Sequence, residues 1–324
     1  MNSATNTAEI LPGLPEICTE IDRMLWEYDS GRIRIQPNPN NRASEAGHDC
    51  ERYLVYARRN WREKIRHDAR LQRVFDEGVL QEQAILQKLA AAGIVVVEQQ
   101  RSLEWKQFQL TGHIDGKLSW GGELYPLEIK SFSAVNFNAI DTVEDMIRSK
   151  HGYMRKYPVQ MQLYLLMDES PEGLFLLKDK SSGAIKLVPC RLDYEFAEKI
   201  LQKLERVNAH VAAGTYPDRC EYSDGLCGQC LLRHLCLPDK DYGSAEFIAD
   251  SDFIFTLERR EELKESVKEY EELDEEVKSR VKPYETDIIA GNFLLKRKHI
   301  VKTIQPKAAY TQDYWTTTIS QLGR

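Results

Sequence analysis

The stretch TGHIDGKLSWGGELYPLEIKSF, Thr111 to Phe132, constrains the fold more than any other part of the chain. Apolar and polar residues alternate on both sides of a glycine pair, the pattern of two strands joined by a turn. Successive strand side chains point to opposite faces. Leu127 and Ile129 therefore share a face that can enter a core, while Glu128 and Lys130 share the other. On the preceding strand His113 and Asp115 likewise share a face. Pairing across the WGGE turn brings Asp115 and Glu128 to one point. Carboxylates held together without neutralisation repel, which raises a pKa. A hard divalent cation such as Mg²⁺ resolves that conflict, because it prefers carboxylate, carbonyl and water oxygens. Lys130 beside it would orient a water nucleophile or stabilise charge on a phosphate. Taken alone, the same residues also fit a half-solvated sheet.

The rest of the 324 residues supplies helices and further strands. Residues 15–30 read as a helix, and Ser44 is placed to cap another from about 45 to 73. Residues 75–93 form an amphipathic helix stopped by Gly93. Three or four strands are expected between 94 and 132, a helix at 151–167, a hairpin at 173–190 turning at Ser182 and Gly183, and a helix at 193–213. Leu263, Val267, Tyr270, Leu273, Val277 and Val281 recur every three or four residues. They predict a long amphipathic helix over 253–282, about 45 Å in length, followed by a hairpin around Gly291. The expected fold class is α/β: a mixed β-sheet flanked by helices, with a C-terminal long helix and hairpin. The expected division is a disordered tail at 1–14, a main domain at 15–240 and an arm at 241–324.

No run of about 18 apolar residues suggests a membrane span, and the first residues lack the pattern of a secretory signal. A cytoplasmic location, bacterial or in the host of a phage, is the expectation. The formal net charge is −7, but charge is unevenly placed. RRNWREKIRHDARLQR, 58–73, is strongly basic, whereas 256–278 is mostly acidic. The basic run could neutralise phosphates or be a solvated helix face. Seven cysteines occur, at 18, 50, 190, 220, 227, 230 and 236. An odd count without an export signal argues against a disulfide framework. Cys227, Cys230 and Cys236 are spaced to hold one thiophilic centre, zinc or iron–sulfur. The fourth ligand could be Cys220, giving a local zinc knot, or Cys50, tying the domain together. Cys18 and Cys190 read as ordinary buried thiols.

Asp115 with Glu128-Ile129-Lys130 resembles the core motif of the PD-(D/E)XK nucleases. Upstream, Gly78-Val79-Leu80-Gln81-Glu82 resembles that family's helical motif, and Gln160 with Tyr164 matches the Q-x-x-x-Y motif of its RecB-like branch. The resemblance covers roughly residues 40–240 and implies a restriction-endonuclease-like core. It implies that Asp115 and Glu128 bind Mg²⁺ or Mn²⁺, with the Ile129 carbonyl and Glu82 as further ligands, Gln81 serving if the register differs. Lys130 would be catalytic, Gln160 and Tyr164 would position the DNA backbone or the attacking water, and His113 would stand behind the ligands.

Cys50, with Cys227, Cys230 and Cys236, is similar to the split pattern of AddB-type and CRISPR-adaptation nucleases, which implies a structural 4Fe-4S cluster. Structural Zn²⁺ with Cys220 in place of Cys50 is the alternative. The implied partner is DNA, held by Arg58, Arg59, Arg62 and Arg66, with Trp61 or Tyr53 stacking on bases. The implied activity is a metal-dependent deoxyribonuclease, an exonuclease on ends or single strands in recombination, repair, phage replication or CRISPR adaptation. The competing class is a catalytically silent DNA-binding or assembly subunit. Such a subunit would be expected to lack the lysine or an acid, and this chain has them all. The acidic C-terminal helix, with its apolar stripe, could pack on its own domain, on a partner protein or on a second copy. The basic KRKH run at 296–299 is a further candidate contact with DNA.

Overall fold

A computed structural model describes residues 13–149, 151–228, 230–237, 251–283, 286–290 and 292–296. The expected tail lies almost wholly outside the described residues, as do positions 297–299 of the basic run. The chain divides into two compact units, Met1–Asp252 and Phe253–Arg324.

In the first unit, α1 (Leu14–Arg32) leads to β1 (Asn41–Arg42), α2 (Ala43–Ala46), α3 (Glu51–Arg59) and α4 (Ala69–Ala91). Strands β2 (Val95–Val97), β3 (Arg101–Trp105), β4 (Leu110–Ile114), β5 (Gly116–Trp120) and β6 (Glu123–Phe132) follow. Then come α5 (Ala134–Asn138), α6 (Val143–Ile147), α7 (Gly152–Met167), β7 (Glu172–Asp179), β8 (Ile185–Arg191), α8 (Tyr194–Ala213) and α9 (Arg233–Cys236). The second unit carries most of α10 (Ser251–Val281) and a hairpin of β9 (Ile288–Ala290) and β10 (Phe293–Leu295). On α10 the row Leu263, Val267, Tyr270, Leu273 and Val277 is exposed.

Five strands pair in the order β2-β5-β6-β7-β8, with β6 and β7 parallel and the other neighbours antiparallel. A parallel pair needs a long crossover, supplied here by α5, α6 and α7. One sheet face packs Leu127, Ile129 and Leu176 with Ile85, Leu86 and Leu89 of α4. On the other face Phe175, Leu177 and Val188 meet Met161 and Leu165 of α7. The fold is thus a mixed α/β arrangement with helices on both sides of the sheet. Helix α7 is apolar nearly all round because it also buries Leu163 and Tyr164 against a second sheet, β1-β4-β3, and against α8; a helix hydrophobic on every side belongs inside a protein.

The expected helix from 45 to 73 is not continuous. It stops at Ala46, resumes at Glu51 and ends at Arg59. Ser44 lies inside α2, which follows Arg42, so it caps nothing. The cap belongs to Asp68, whose carboxylate accepts from the Leu71 N–H at 2.9 Å and starts α4 earlier than expected. Five strands, not three or four, occupy 95–132. Cys190 is buried, but Cys18 is exposed on α1, beside exposed Ile17 and Ile21.

Asp115 is in neither strand. It stands where the chain leaves β4 of the smaller sheet and enters β5 of the larger one. Opposite it, Glu98, Gln99 and Gln100 cross back from β2 to β3. Val97 pairs with Lys117 and Arg101 with Ile114, so three residues oppose two, Asp115 and Gly116. That is a bulge, and bulges re-aim side chains beside functional sites. Glu98 and Gln100 take left-handed φ values of 50° and 54° to make it. Gly116 is required for close approach: a Cβ there would lie 2.5 Å from a Val96 methyl carbon.

Candidate functional site

A cleft of about 500 Å³ opens between α4, the end of β6 and α7, lined by Glu82, Asp115, Ile129, Lys130 and Gln160 among others. The period-two alternation of β6 turns Glu128 and Lys130 away from the α4 core, as the sequence predicts. Asp115, one residue before the β5–β6 pairing begins at Gly116↔Leu127, reaches the same place. Its Oδ2 accepts from the Ile129 N–H at 2.7 Å.

Glu128 is 1% exposed. Its Oε1 accepts from Lys130 Nζ at 2.5 Å and from Gln160 Nε2 at 2.7 Å. Its Oε2 is buried without a hydrogen-bond partner. Burial, with Asp115 and Glu82 adding repulsion, lifts the Glu128 pKa to about 7 despite Lys130. Burial and the Asp115 charge likewise raise the pKa of Glu82. Burial opposes the Lys130 charge, yet Glu128 and Asp115 hold its pKa above the ordinary lysine value. The ammonium also lies 5.4 Å from the Tyr157 ring centroid. Glu82 lines the cleft, whereas Gln81 donates to Glu77 and accepts from Lys178.

Gln160 and Tyr164 lie one turn apart but do different things. Gln160 lines the cleft and donates to both Glu128 and the Tyr164 hydroxyl, the latter at 2.8 Å. Tyr164 is 2% exposed, and its ring fills the space over Gly112, where a Cβ would come within 2.5 Å of it. The buried Tyr164 hydroxyl is thus turned to Gln160 and not into the cleft. His113 is exposed and does not line the cleft.

The basic run divides in the same way. Arg58 is 8% exposed, and its guanidinium is taken by the Pro39 carbonyl, Asn208 Oδ1, Gln109 Oε1 and Asn41 Oδ1. It is a structural staple, not a phosphate ligand. Arg59 lies over the Tyr216 ring and Arg62 over Trp61; neither they nor Arg66 line the cleft. Tyr53 is buried and stacked on His48 at 4.0 Å, which removes it as a base platform. The cleft has its own cations and rings: Lys156, Lys180, Phe75, Tyr153 and Tyr157. Lys156 stands one turn before Gln160, the i and i+4 spacing of one helical face. That spacing was the available signal for it.

A second cavity, of about 50 Å³, is lined by Cys50, Cys220, Cys227, Cys230 and Cys236. Cys50 precedes α3, which packs with α8 through Tyr53, Leu54, Val55 and Val207 in a cluster that Cys50, Cys230 and Cys236 adjoin. The split set and its alternative fourth member therefore share one cavity. Burial raises the pKa values of Cys50, Cys220 and Cys230. His48 beside them accepts from the Cys50 N–H at 3.1 Å, and burial drives its pKa down to about 3. Among the described residues no three His, Cys, Asp or Glu side chains are arranged to hold one ion as they stand.

No known protein family and no curated protein matches the chain by sequence. Among solved structures the chain is similar to SSO0001, with a TM-score of 0.40 at 12% identity over 68% of this chain and 98% of that one. It is similar to the alkaline exonuclease LHK-Exo from Laribacter hongkongensis, with a TM-score of 0.38 at 14% identity over 59% of this chain and 93% of that one. A phage-related exonuclease from Haemophilus somnus 129PT gives 0.32 at 16% identity over 41% and 68%. TM-scores of this size leave the chemistry to be read from the residues of this chain.

Proposed function

We propose that the chain is a metal-dependent deoxyribonuclease of the PD-(D/E)XK kind. The observation that carries this reading is Glu128: a carboxylate with one oxygen buried and unpartnered, beside Lys130 and facing Asp115 and Glu82. A buried acceptor left unpaired costs free energy, and a divalent cation would satisfy it. Asp115, Glu128 and Glu82, with the Ile129 carbonyl, would hold Mg²⁺ or Mn²⁺. When bound, that ion supplies Lewis acidity toward a phosphoryl oxygen and lowers the pKa of its water. Lys130, held by Glu128, presents a donor to charge developing on the phosphate. Gln160 fixes the Glu128 carboxylate, and Tyr164 fixes Gln160. Lys156 and Lys180 would engage the DNA backbone, and Phe75 or Tyr153 would meet a base.

The test is Mg²⁺- or Mn²⁺-dependent cleavage of end-labelled DNA by the full chain. Binding of DNA without cleavage under any of these conditions would favour the silent-subunit reading instead. The metal site also carries a pH dependence. Because Glu128 keeps its proton up to about pH 7, an ion must displace that proton at lower pH. Mn²⁺ affinity is therefore expected to rise about tenfold per pH unit below 7 and to flatten above it, as calorimetric titration would report. Affinity independent of pH between 5 and 7 would show that Glu128 holds no proton in that range before the ion binds.

The thiols fit a thiophilic group: four half-buried cysteines and the exposed Cys220 border one small cavity. We assign Cys50, Cys227, Cys230 and Cys236 to a structural 4Fe-4S cluster, with Zn²⁺ through Cys220 as the alternative. Protein purified without oxygen is expected to be brown, with iron and acid-labile sulfide, and Cys50→Ser is expected to lose both. A colourless, zinc-containing protein unaffected by Cys50→Ser but depleted of zinc by Cys220→Ser would replace that assignment.

A further inference from the structure

We propose that Gln100 is a positioning residue of the carboxylate site, a role that rests on the metal-site reading above. Gln100 is invisible to a motif search, because it lies outside the D…ExK pattern and its neighbours carry no glycine signal. Its side-chain Nε2 donates to Glu82 Oε1 at 2.6 Å and lies 3.5 Å from Asp115 Oδ1. Its backbone N–H donates to the Asp115 carbonyl at 3.3 Å. One residue therefore grips Asp115 twice and ties it to the carboxylate contributed by α4. No other side chain is seen bridging Glu82 and Asp115 among the described residues.

The backbone supports this role. Gln100 occupies the left-handed region, φ 54°, which glycine, asparagine or aspartate would adopt more easily. Glycine would make the same bulge at less steric cost, but it has no amide. The bulge brings Gln100 opposite Asp115, and the side chain then reaches the α4 acid. Hydrogen bonds that orient ligating carboxylates commonly contribute 10–100-fold to metal affinity. Each carboxylate keeps lone pairs for an ion: the amide nitrogen takes one oxygen of each, and the other Asp115 oxygen, which accepts from the Ile129 N–H, retains a second lone pair.

The test uses Gln100→Ala and Gln100→Gly in the full chain, with Mn²⁺ binding measured by calorimetry without DNA, and thermal melting alongside. Both variants are expected to bind Mn²⁺ 10–100-fold more weakly. Gln100→Gly is expected to melt no lower than the native chain, since glycine accepts the positive φ without a Cβ clash. Weaker binding without lower stability is a combination that a purely structural role would not produce. Asp115→Asn serves as the reference for a lost ligand. If native protein binds Mn²⁺, Asp115→Asn does not, and both Gln100 variants bind within twofold of native or more tightly, the role of Gln100 is wrong while the metal site stands. If affinity and melting temperature fall together in both variants, Gln100 is structural only. If native protein binds no Mn²⁺, the metal site fails and Gln100 loses its role with it.

Discussion

Asp115→Asn is expected to reduce Mg²⁺- or Mn²⁺-dependent DNA cleavage about a thousandfold or more, with melting nearly unchanged. The magnitude follows from the several kcal/mol that a bound cation supplies to developing charge, at about 1.4 kcal/mol per factor of ten. Asparagine is the informative replacement. Asp115 Oδ2 accepts from the Ile129 N–H at 2.7 Å, and an amide oxygen can keep that bond, so the junction of the two sheets is preserved while a charge is lost. Alanine would also silence the site, but it would leave the Ile129 N–H unpaired, a cost of about 1–3 kcal/mol. Cleavage at the native rate by a folded Asp115→Asn protein would refute the proposed active site. A variant that binds DNA normally and does not cut it would separate chemistry from binding.

Arg58→Met should be the most destabilising single change in the basic run, by at least about 3 kcal/mol, yet it should leave the salt dependence of DNA binding alone. Methionine keeps much of the side-chain volume but none of the donors. The Pro39 carbonyl, Asn208 Oδ1 and Gln109 Oε1, each bonded to this guanidinium, would lose a partner at about 1–3 kcal/mol per buried group. Burial already lowers the pKa of Arg58, consistent with a charge held by neutral acceptors. Lys156→Ala should behave oppositely: a near-native melting temperature, weaker DNA binding and a salt slope reduced by about one. Equal loss of slope in both variants would return Arg58 to the DNA-contacting face.

The contrast between these two residues marks what a sequence can carry. Alternation along β6 is a strong local signal because one face is buried against Ile85 and its neighbours, and it sorted Glu128 and Lys130 correctly from Leu127 and Ile129. The i and i+4 relation of Gln160 and Tyr164 was equally visible. Their separate placements were not, because Gly112 makes the room for the Tyr164 ring from a distant strand. The bulge that aims Asp115 was hidden because Glu98 and Gln100, not glycines, take the positive φ. Arg58 was misread within the basic run because charge density says nothing about burial. Helix α3 buries Tyr53 through Arg58 without a break, so Arg58 goes inward although it shares a helical side with the polar Glu51, two turns earlier. Gly47 and Asn60 interrupt the run that was expected to be one helix.

The meeting of α3 with α8 and the segment after it has a consequence for the order in which the first unit acquires its structure. Tyr53, Leu54 and Val55 find Val207 and Leu232 only after nearly all of the intervening chain has been synthesised. The entropy of closing so long a loop grows only slowly with its length, so the contact costs only slightly more than a shorter closure would. Its effect is on the rate, because pairings of high sequence separation form late. The sheet, α4 and α7 are mostly assembled from nearer neighbours. The α3–α8 cluster, with the thiols beside it, is therefore expected to close last, on a domain whose carboxylate cleft is already shaped.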